Sequence, residues 1–248
     1  MARNIRADVL LVDRGLVESR SKAQALILAG TVYSGERKLA KAGEALAPDA
    51  PLEVRGKEHP WVSRGGMKLD HGLKHFGFDV TGLTALDVGS STGGFTDVLL
   101  TRGAARVFAI DVGTNQLAWK LRSDERVVVH EQTNARHLTA AIVTEPPRIV
   151  VCDASFISLA KVLDAALDLA APGAKLVALV KPQFEAGRAE VGKGGVVRDP
   201  AVHERVCAEA SEWVASKGWR VLGIERSPIT GPEGNVEFLL GAIKEREE

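Results

Sequence analysis

A chain of 248 residues accommodates one large domain, or one of about 150–200 residues with a small companion. Its composition, 45% hydrophobic and 26% charged, is that of a soluble globular protein, and no run approaches the ~18 apolar residues of a membrane span. Basic and acidic residues balance at 32 each, which argues against nucleic-acid binding by bulk charge; any such contact must come from placed residues. The charged N-terminal stretch does not read as a secretory signal. The two cysteines, Cys152 and Cys207, form neither a disulfide framework nor a metal-ligand spacing, so a reducing cytoplasm is the expected setting.

Taken in chain order, residues 9–12 read as part of a short helix. Residues 19–30 read as a second, with Ser19 as N-cap, Gly30 just past the C-terminus and an apolar stripe of Ala23, Leu26 and Ile27. Arg20 and Lys22 fall in its first turn, where the helix dipole disfavours cations. They are either solvated surface charge or residues that face a polyanion. Residues 31–33 and 51–54 read as short strands. Residues 1–58 thus form a small α+β domain, 59–63 a linker, and 64–248 the larger domain. The first 60 residues carry ten Lys/Arg against eight Asp/Glu, only a weak basic excess.

From residue 84 apolar strands alternate with helical segments. Strands are expected at 84–88, 106–111, 126–131, 148–153 and 174–181, with helical segments at 96–102 and 158–171 among those between them. This alternation signals a parallel, doubly wound α/β sheet. Two further strands, 219–225 and 236–243, are joined by a connection too short for a crossover helix and should pair antiparallel. Seven strands, mostly parallel and ending in an antiparallel one, resemble the Rossmann-like plan of class I methyltransferases.

The first of these strands runs into Asp87-Val-Gly89-Ser90-Ser-Thr-Gly93-Gly94-Phe95. Glycines there let the backbone approach a ligand, and the following helix offers free N–H groups. The spacing is neither the dinucleotide fingerprint nor a Walker loop. Asp111, at the end of the next strand, is placed to accept ribose hydroxyls of a nucleoside. A nicotinamide cofactor and S-adenosylmethionine both satisfy this logic; the spacing resembles the adenosylmethionine version. Asn134 is an adenine contact or a helix cap.

In an open parallel sheet, ligands bind beyond the C-terminal strand ends. Asp153 and Lys181 end the fourth and fifth strands. They form a structural ion pair or a poised proton acceptor, since desolvation favours the neutral amine. Glu237 sits in an apolar strand, as edge protection or as part of the same pocket. Lys68 lies on a helix just before the sheet, exposed or in that pocket.

Lys68, Asp153, Lys181 and Glu237 resemble the K-D-K-E tetrad of FtsJ-like RNA 2′-O-methyltransferases. The stretches RADVLLVDRGLVESRSKAQALILAG, WVSRGGMKLDHGL, LDVGSSTGGFTD, CDASFISL and LVKPQFE are similar to those of the TlyA (hemolysin A) family, over almost the whole chain. The resemblance implies a ribosomal-protein-type RNA-binding domain joined to an S-adenosylmethionine-dependent methyltransferase. It further implies 2′-O-methylation of cytidine in 16S and/or 23S ribosomal RNA, with ribosomal RNA and ribosomal subunits as partners and no membrane role. Gly93, Phe95, Asp111, Asn134 and Asp153 match the family's cofactor positions, to which the loop reading adds Asp87, Gly89, Ser90 and Gly94. FtsJ-type loops have Pro-Gly-Gly-Trp where this chain has Thr92-Gly-Gly-Phe95.

In the expected mechanism Lys181 accepts the 2′-OH proton and Asp153 orients it. Lys68 positions the oxygen, and Glu237 fixes a lysine. The sulfonium donor is already activated, so no metal is expected at the site. Arg3, Arg6, Arg20, Lys22, Lys41 and Arg64 are the candidate RNA-phosphate contacts. Three rival readings fit the residues less well. A non-catalytic RNA-binding or ribosome-assembly factor conflicts with an intact tetrad and loop. A membrane-active hemolysin needs an amphipathic basic helix or an apolar span, and the sequence shows neither; a nicotinamide oxidoreductase conflicts with the glycine spacing and paired lysines.

Overall fold

The computed structural model describes residues 4–17, 19–55 and 59–245. By its internal contacts the chain divides into two compact units, Met1–Pro60 and Trp61–Glu248.

The first unit contains β1 (Ile5–Arg6), α1 (Ala7–Asp13), α2 (Arg20–Leu28), β2 (Val32–Ser34), β3 (Arg37–Lys38), β4 (Ala45–Leu46) and β5 (Leu52–Val54). Ser19 caps α2 by accepting the Lys22 N–H at 3.3 Å, and Gly30 follows the helix at φ +71°. β1 pairs with β4, and β2 lies between β3 and β5, all antiparallel. Leu10 and Leu11 of α1, Ala23 and Ile27 of α2, and Val32 form the core; Leu26 is only partly buried against it. The carboxylate of Asp8 is completely buried. It accepts two bonds from Arg6 at 3.0 Å, one from Gln24 at 2.8 Å and one from Arg20 at 3.3 Å. The Arg6 hydrogen bonds hold its pKa far below the usual carboxylate range, against the opposing effect of burial.

The second unit opens with α3 (Gly65–His75) and continues with β6 (Thr84–Val88), α4 (Gly94–Thr101), β7 (Arg106–Ile110), α5 (Trp119–Arg122), β8 (Val127–His130) and β9 (Ile149–Cys152). It then runs through α6 (Leu159–Val162), α7 (Asp164–Leu169), β10 (Lys175–Val180), α8 (Pro182–Glu185), α9 (Pro200–Ser216), β11 (Trp219–Arg226) and β12 (Phe238–Lys244). The seven strands form one sheet in the order β11-β12-β10-β9-β6-β7-β8. β12 is antiparallel to both neighbours, as the short 227–237 connection requires, and the remaining pairs are parallel.

Strand side chains alternate between the two faces. Leu86, Phe108, Val150, Leu176 and Leu240 enter a core with α6, α7 and α9. Ala85, Val107, Val151, Val177 and Leu239 enter a second core with α3 and α4. Both faces are covered, which is why the central strands read as nearly continuous apolar runs. The segment 158–171 was expected as one helical stretch; it is two short helices that meet at Leu163. α4 begins two residues before the expected position, at Gly94. Trp61, Val62 and Ser63, expected in the linker, pack onto the second unit: a Cβ on Gly66 would strike the Trp61 ring, and the Val62 N–H donates to Asp97 at 2.8 Å.

Candidate active site

The strand order places the ends of β6, β9 and β10 side by side, at the point where the chain reverses its direction of winding. The ends of β9 and β10 each carry a charged residue, and β6 runs into the glycine loop. The chain leaves β9 at Asp153, whose N–H donates to Val88 at 3.2 Å. It leaves β10 at Lys181, which precedes Pro182 at the first position of α8. That explains a lysine–proline pair after five buried residues: the strand stops there and a helix starts.

Lys181 and Lys68 are 5% and 6% exposed, and Glu237 is 1% exposed. Lys181 Nζ lies 2.7 Å from Asp153 Oδ1 and donates to Ser155 Oγ at 2.9 Å and to the Asp153 carbonyl at 3.1 Å. Lys68 Nζ donates to Glu237 Oε2 at 2.6 Å and lies 3.6 Å from Asp153 Oδ2. One carboxylate thus bridges two ammonium groups, and the second carboxylate holds the outer one. Glu237 precedes β12, an interior strand, so edge protection is not its role. Lys68 is not an exposed helix charge. Two cations and two anions neutralise one another in this cluster, which is what makes burying Lys68, Lys181 and Glu237 beside the partly exposed Asp153 tolerable.

The WVSRGG segment supports this cluster from below. A Cβ on Gly94 would collide with Ser63 Oγ and come within 3.0 Å of the Gly66 backbone nitrogen, so the segment and the start of α4 touch at backbone distance. Gly72 approaches Val177 and Leu239 in the same way, which seats α3 on the sheet. Asn235 fastens the other side: it accepts the Val197 N–H at 3.2 Å and donates to the Gly195 carbonyl at 3.0 Å, tying the 187–197 loop to the segment before Glu237.

Two adjoining cavities meet at Gly89, Ser91, Asp153 and Ser155. The larger, about 870 Å³, is lined also by Asp111, Asn134 and Phe156. The smaller, about 240 Å³, is lined by Lys68, Lys181, Glu237, Arg64, Gly94 and Phe95, as well as Ser90. The first has the size of a small-molecule site; the second contains the charged cluster.

Asp111 Oδ2 accepts the Ser91 N–H at 2.8 Å and Oδ1 accepts the Gly113 N–H at 2.7 Å, which fixes the carboxylate and leaves each oxygen a lone pair. The Asn134 oxygen caps the turn that follows it, accepting the Arg136 N–H at 3.1 Å. Gly89 stands at φ +81°, and a Cβ there would come within 2.9 Å of the Ala154 backbone, so only glycine fits.

Asp87 and Gly93 line neither cavity. Gly93 packs against Leu117 and Leu121. Asp87 is wholly buried behind the loop, accepting from Thr96 Oγ1 at 2.7 Å. Burial pushes its carboxyl up to about 7, against the Thr96 bond, which lowers it. Its folded-state pKa lies above the unfolded value, so its contribution to stability is full below about pH 4 and is lost as pH rises toward 7. Replacing Asp87 with Asn should flatten that slope, on the order of 3 kcal/mol across the interval. Urea unfolding at pH 5 and pH 7.5 measures this, and an unchanged difference between wild type and variant contradicts it.

Among the proposed RNA contacts, Lys22 and Lys41 are exposed, and Arg64 is exposed at the rim of the smaller cavity. Arg6 and Arg20 are engaged with Asp8. Arg3 lies outside the described residues. Sequence reasoning missed Ser155 and Phe156. Phe156 is 89% exposed at φ +67°, beside Phe184 at 5.1 Å between ring centroids. An exposed ring on a strained backbone is unusual for a non-glycine residue. Its only signal in the sequence was its position three residues after Asp153. Cys152 is buried in β9, where burial pushes the thiol up to about 12; it is a packed side chain.

A seven-stranded mostly parallel sheet with one antiparallel strand, and a glycine loop leading into a helix, define a class I methyltransferase fold. Residues 61–244 match the model of the FtsJ-like methyltransferases, and the chain belongs to that family. It is 48% identical over 241 residues to the 16S/23S rRNA (cytidine-2′-O)-methyltransferase TlyA of Mycobacterium tuberculosis, covering 97% of this chain and 90% of that protein. It is 40% identical over 236 residues to Hemolysin A of Brachyspira hyodysenteriae, covering 95% and 98%. A solved structure from Streptococcus thermophilus, named as a hemolysin, superposes with a TM-score of 0.78 at 41% identity over 100% of this chain and 90% of that one. No helix among the described residues is long and apolar enough to cross a membrane.

Proposed function

We propose that the chain transfers a methyl group from S-adenosylmethionine to the ribose 2′-OH of cytidine in ribosomal RNA. The observation that carries this reading is the cluster of buried Lys68, Glu237 and Lys181 around the partly exposed Asp153, set against the cavity that the glycine loop borders.

The residues fit the donor. Gly89 keeps the loop backbone free of side chain on the cavity wall, and the oriented Asp111 carboxylate can accept two ribose hydroxyls. The Asn134 amide group can meet an adenine edge. Ser90, Gly94 and Phe95 face the smaller cavity, where the methyl end would lie. Asp87 and Gly93 act from behind, holding the loop and the start of α4 in place. Bound S-adenosylmethionine supplies a sulfonium methyl that is already activated for attack.

Lys181 first gives up its own proton to solvent, which the cationic donor and Lys68 beside it favour; the neutral amine then receives the 2′-hydroxyl proton as the oxygen bonds the methyl carbon, and the electron pair of the broken carbon–sulfur bond stays with sulfur. Asp153 holds Lys181 at 2.7 Å and stabilises the ammonium once formed. Lys68, fixed by Glu237, aims at the same cavity and orients the ribose oxygen.

The first unit supplies an RNA-binding domain, with 64–248 as the methyltransferase domain. Lys22, Lys41 and Arg64 offer exposed cationic groups to phosphates, and Arg6 and Arg20, already neutralised by Asp8, offer less. Unstacked RNA bases bind aromatic faces, and Phe156 presents one at the mouth of the site. Phe156→Ala should lower kcat/KM for RNA about 10–100-fold, with Phe156→Tyr restoring most of it; because Phe156 also lines the larger cavity, donor titration separates an RNA platform, which leaves donor affinity unchanged, from a donor contact. Unchanged RNA kinetics in the alanine variant rule the platform out.

Ribosomal subunits or their RNA, incubated with the protein and labelled donor, test the function. Label in the RNA that declines as salt rises supports it. A protein that binds RNA but transfers no label is the non-catalytic assembly factor instead.

A further inference from the structure

Away from the charged cluster, α3 presents a second group of side chains. Lys68, His71 and His75 occur at i, i+3 and i+7 and share one helix face. Lys68 points to Glu237, whereas the two histidines reach the edge strand β11 at Glu225. His71 Nε2 lies 3.1 Å from Glu225 Oε1, and His75 Nδ1 lies 3.6 Å from Glu225 Oε2. The ligand atoms of the three residues all fall within 4.8 Å of one another. All three side chains are partly exposed, at 38%, 42% and 31%, so an ion can reach them from solvent.

The geometry points to a divalent-cation site formed by His71, His75 and Glu225, of the borderline class to which zinc belongs. Two imidazoles one helical turn apart with a carboxylate from another element are a nitrogen–nitrogen–oxygen donor set typical of Zn²⁺. Bonds of about 2.0–2.2 Å to a tetrahedral ion set ligand atoms roughly 3.4 Å apart; the 3.1 and 3.6 Å pairs fit that spacing, and the whole set, within 4.8 Å, closes on the ion as it binds. The ion binds an imidazole lone pair, so a proton on His71 Nε2 moves to Nδ1 or to solvent as the metal enters. A three-residue set leaves a coordination position for water.

Its place in the fold gives the site a consequence. β11 continues into the 227–237 segment that ends on Glu237, and α3 carries Lys68. An ion that clamps α3 to β11 therefore holds together the two elements that bring Lys68 and Glu237 to 2.6 Å. The ion is a structural clamp, separate from the methyl-transfer chemistry, and the inference stands independently of the substrate assigned above.

The test uses the full chain, freed of metal by a chelator. Equilibrium dialysis against Zn²⁺ should show one tight equivalent, and Co²⁺ should give the visible absorption of a four-coordinate nitrogen/oxygen site. His75→Gln and Glu225→Gln should each weaken Zn²⁺ binding about 100-fold or more, while cooperative urea unfolding of the metal-free proteins shows that both variants fold. Zn²⁺ should raise the Tm of the wild type but not of either variant. Binding that is absent, or that is equally tight in both variants, overturns the site.

Discussion

Replacing Lys181 with alanine should lower methyl transfer about 10²–10⁴-fold while donor binding persists. The size follows from the role: a positioned proton acceptor contributes on that scale when the nucleophile is an alcohol. Persistence of binding follows from geometry. Lys181 borders the smaller cavity and does not line the larger one, where Asp111 and Asn134 stand. Truncation also leaves Asp153 paired with Lys68 alone, at 3.6 Å. Part of the loss will then come from a reoriented carboxylate, so Lys181→Arg is the informative companion. It keeps a cation near Asp153 but cannot take a proton near neutral pH. Both variants should be inactive. Single-turnover transfer and donor titration separate the two quantities. Near-wild-type transfer by Lys181→Ala removes the proton-acceptor role.

Replacing Glu237 with Gln should destabilise the fold by about 3 kcal/mol and reduce activity together. Glu237 is 1% exposed and its Oε2 accepts from Lys68 at 2.6 Å. Without that charge, the Lys68 ammonium stays buried with its nearest carboxylate, Asp153, 3.6 Å away and already engaged by Lys181. An uncompensated buried cation costs far more than the pair itself contributes. Changing both partners, Lys68→Met with Glu237→Gln, should therefore be less damaging to stability than Glu237→Gln alone. Denaturant unfolding of the two single variants and the double variant measures this. A single variant within about 0.5 kcal/mol of wild type would falsify the account of the cluster.

The sheet was legible because its central strands are covered on both faces and so read as apolar runs. The antiparallel end followed from the length of one connection. Lys181 and Asp153 were legible as charges at strand ends, and Glu237 as a charge in an apolar stretch. The charge alone did not settle what Glu237 does: edge protection and a buried pair look alike until strand order is known, and β12 proved to be interior. The two-residue strands β1, β3 and β4 carry no periodicity long enough to detect. Arg6 and Arg20 read as free cations because their partner, Asp8, is recognisable only once α1 and α2 pack. Asp87 read as a ligand-facing carboxylate because sequence cannot distinguish the front of a loop from the back. The joining of His71 and His75 to Glu225 spans about 150 residues and depends on the edge strand, which no local pattern reports.

The central claim concerns which atom receives the methyl group. Ribosomal RNA modified by the protein with isotopically labelled S-adenosylmethionine can be digested to nucleosides and resolved by mass spectrometry. The account predicts that the label resides on the ribose of 2′-O-methylcytidine and leaves the adjacent phosphodiester resistant to alkali. Label on a nucleobase, with an alkali-sensitive linkage, would contradict it.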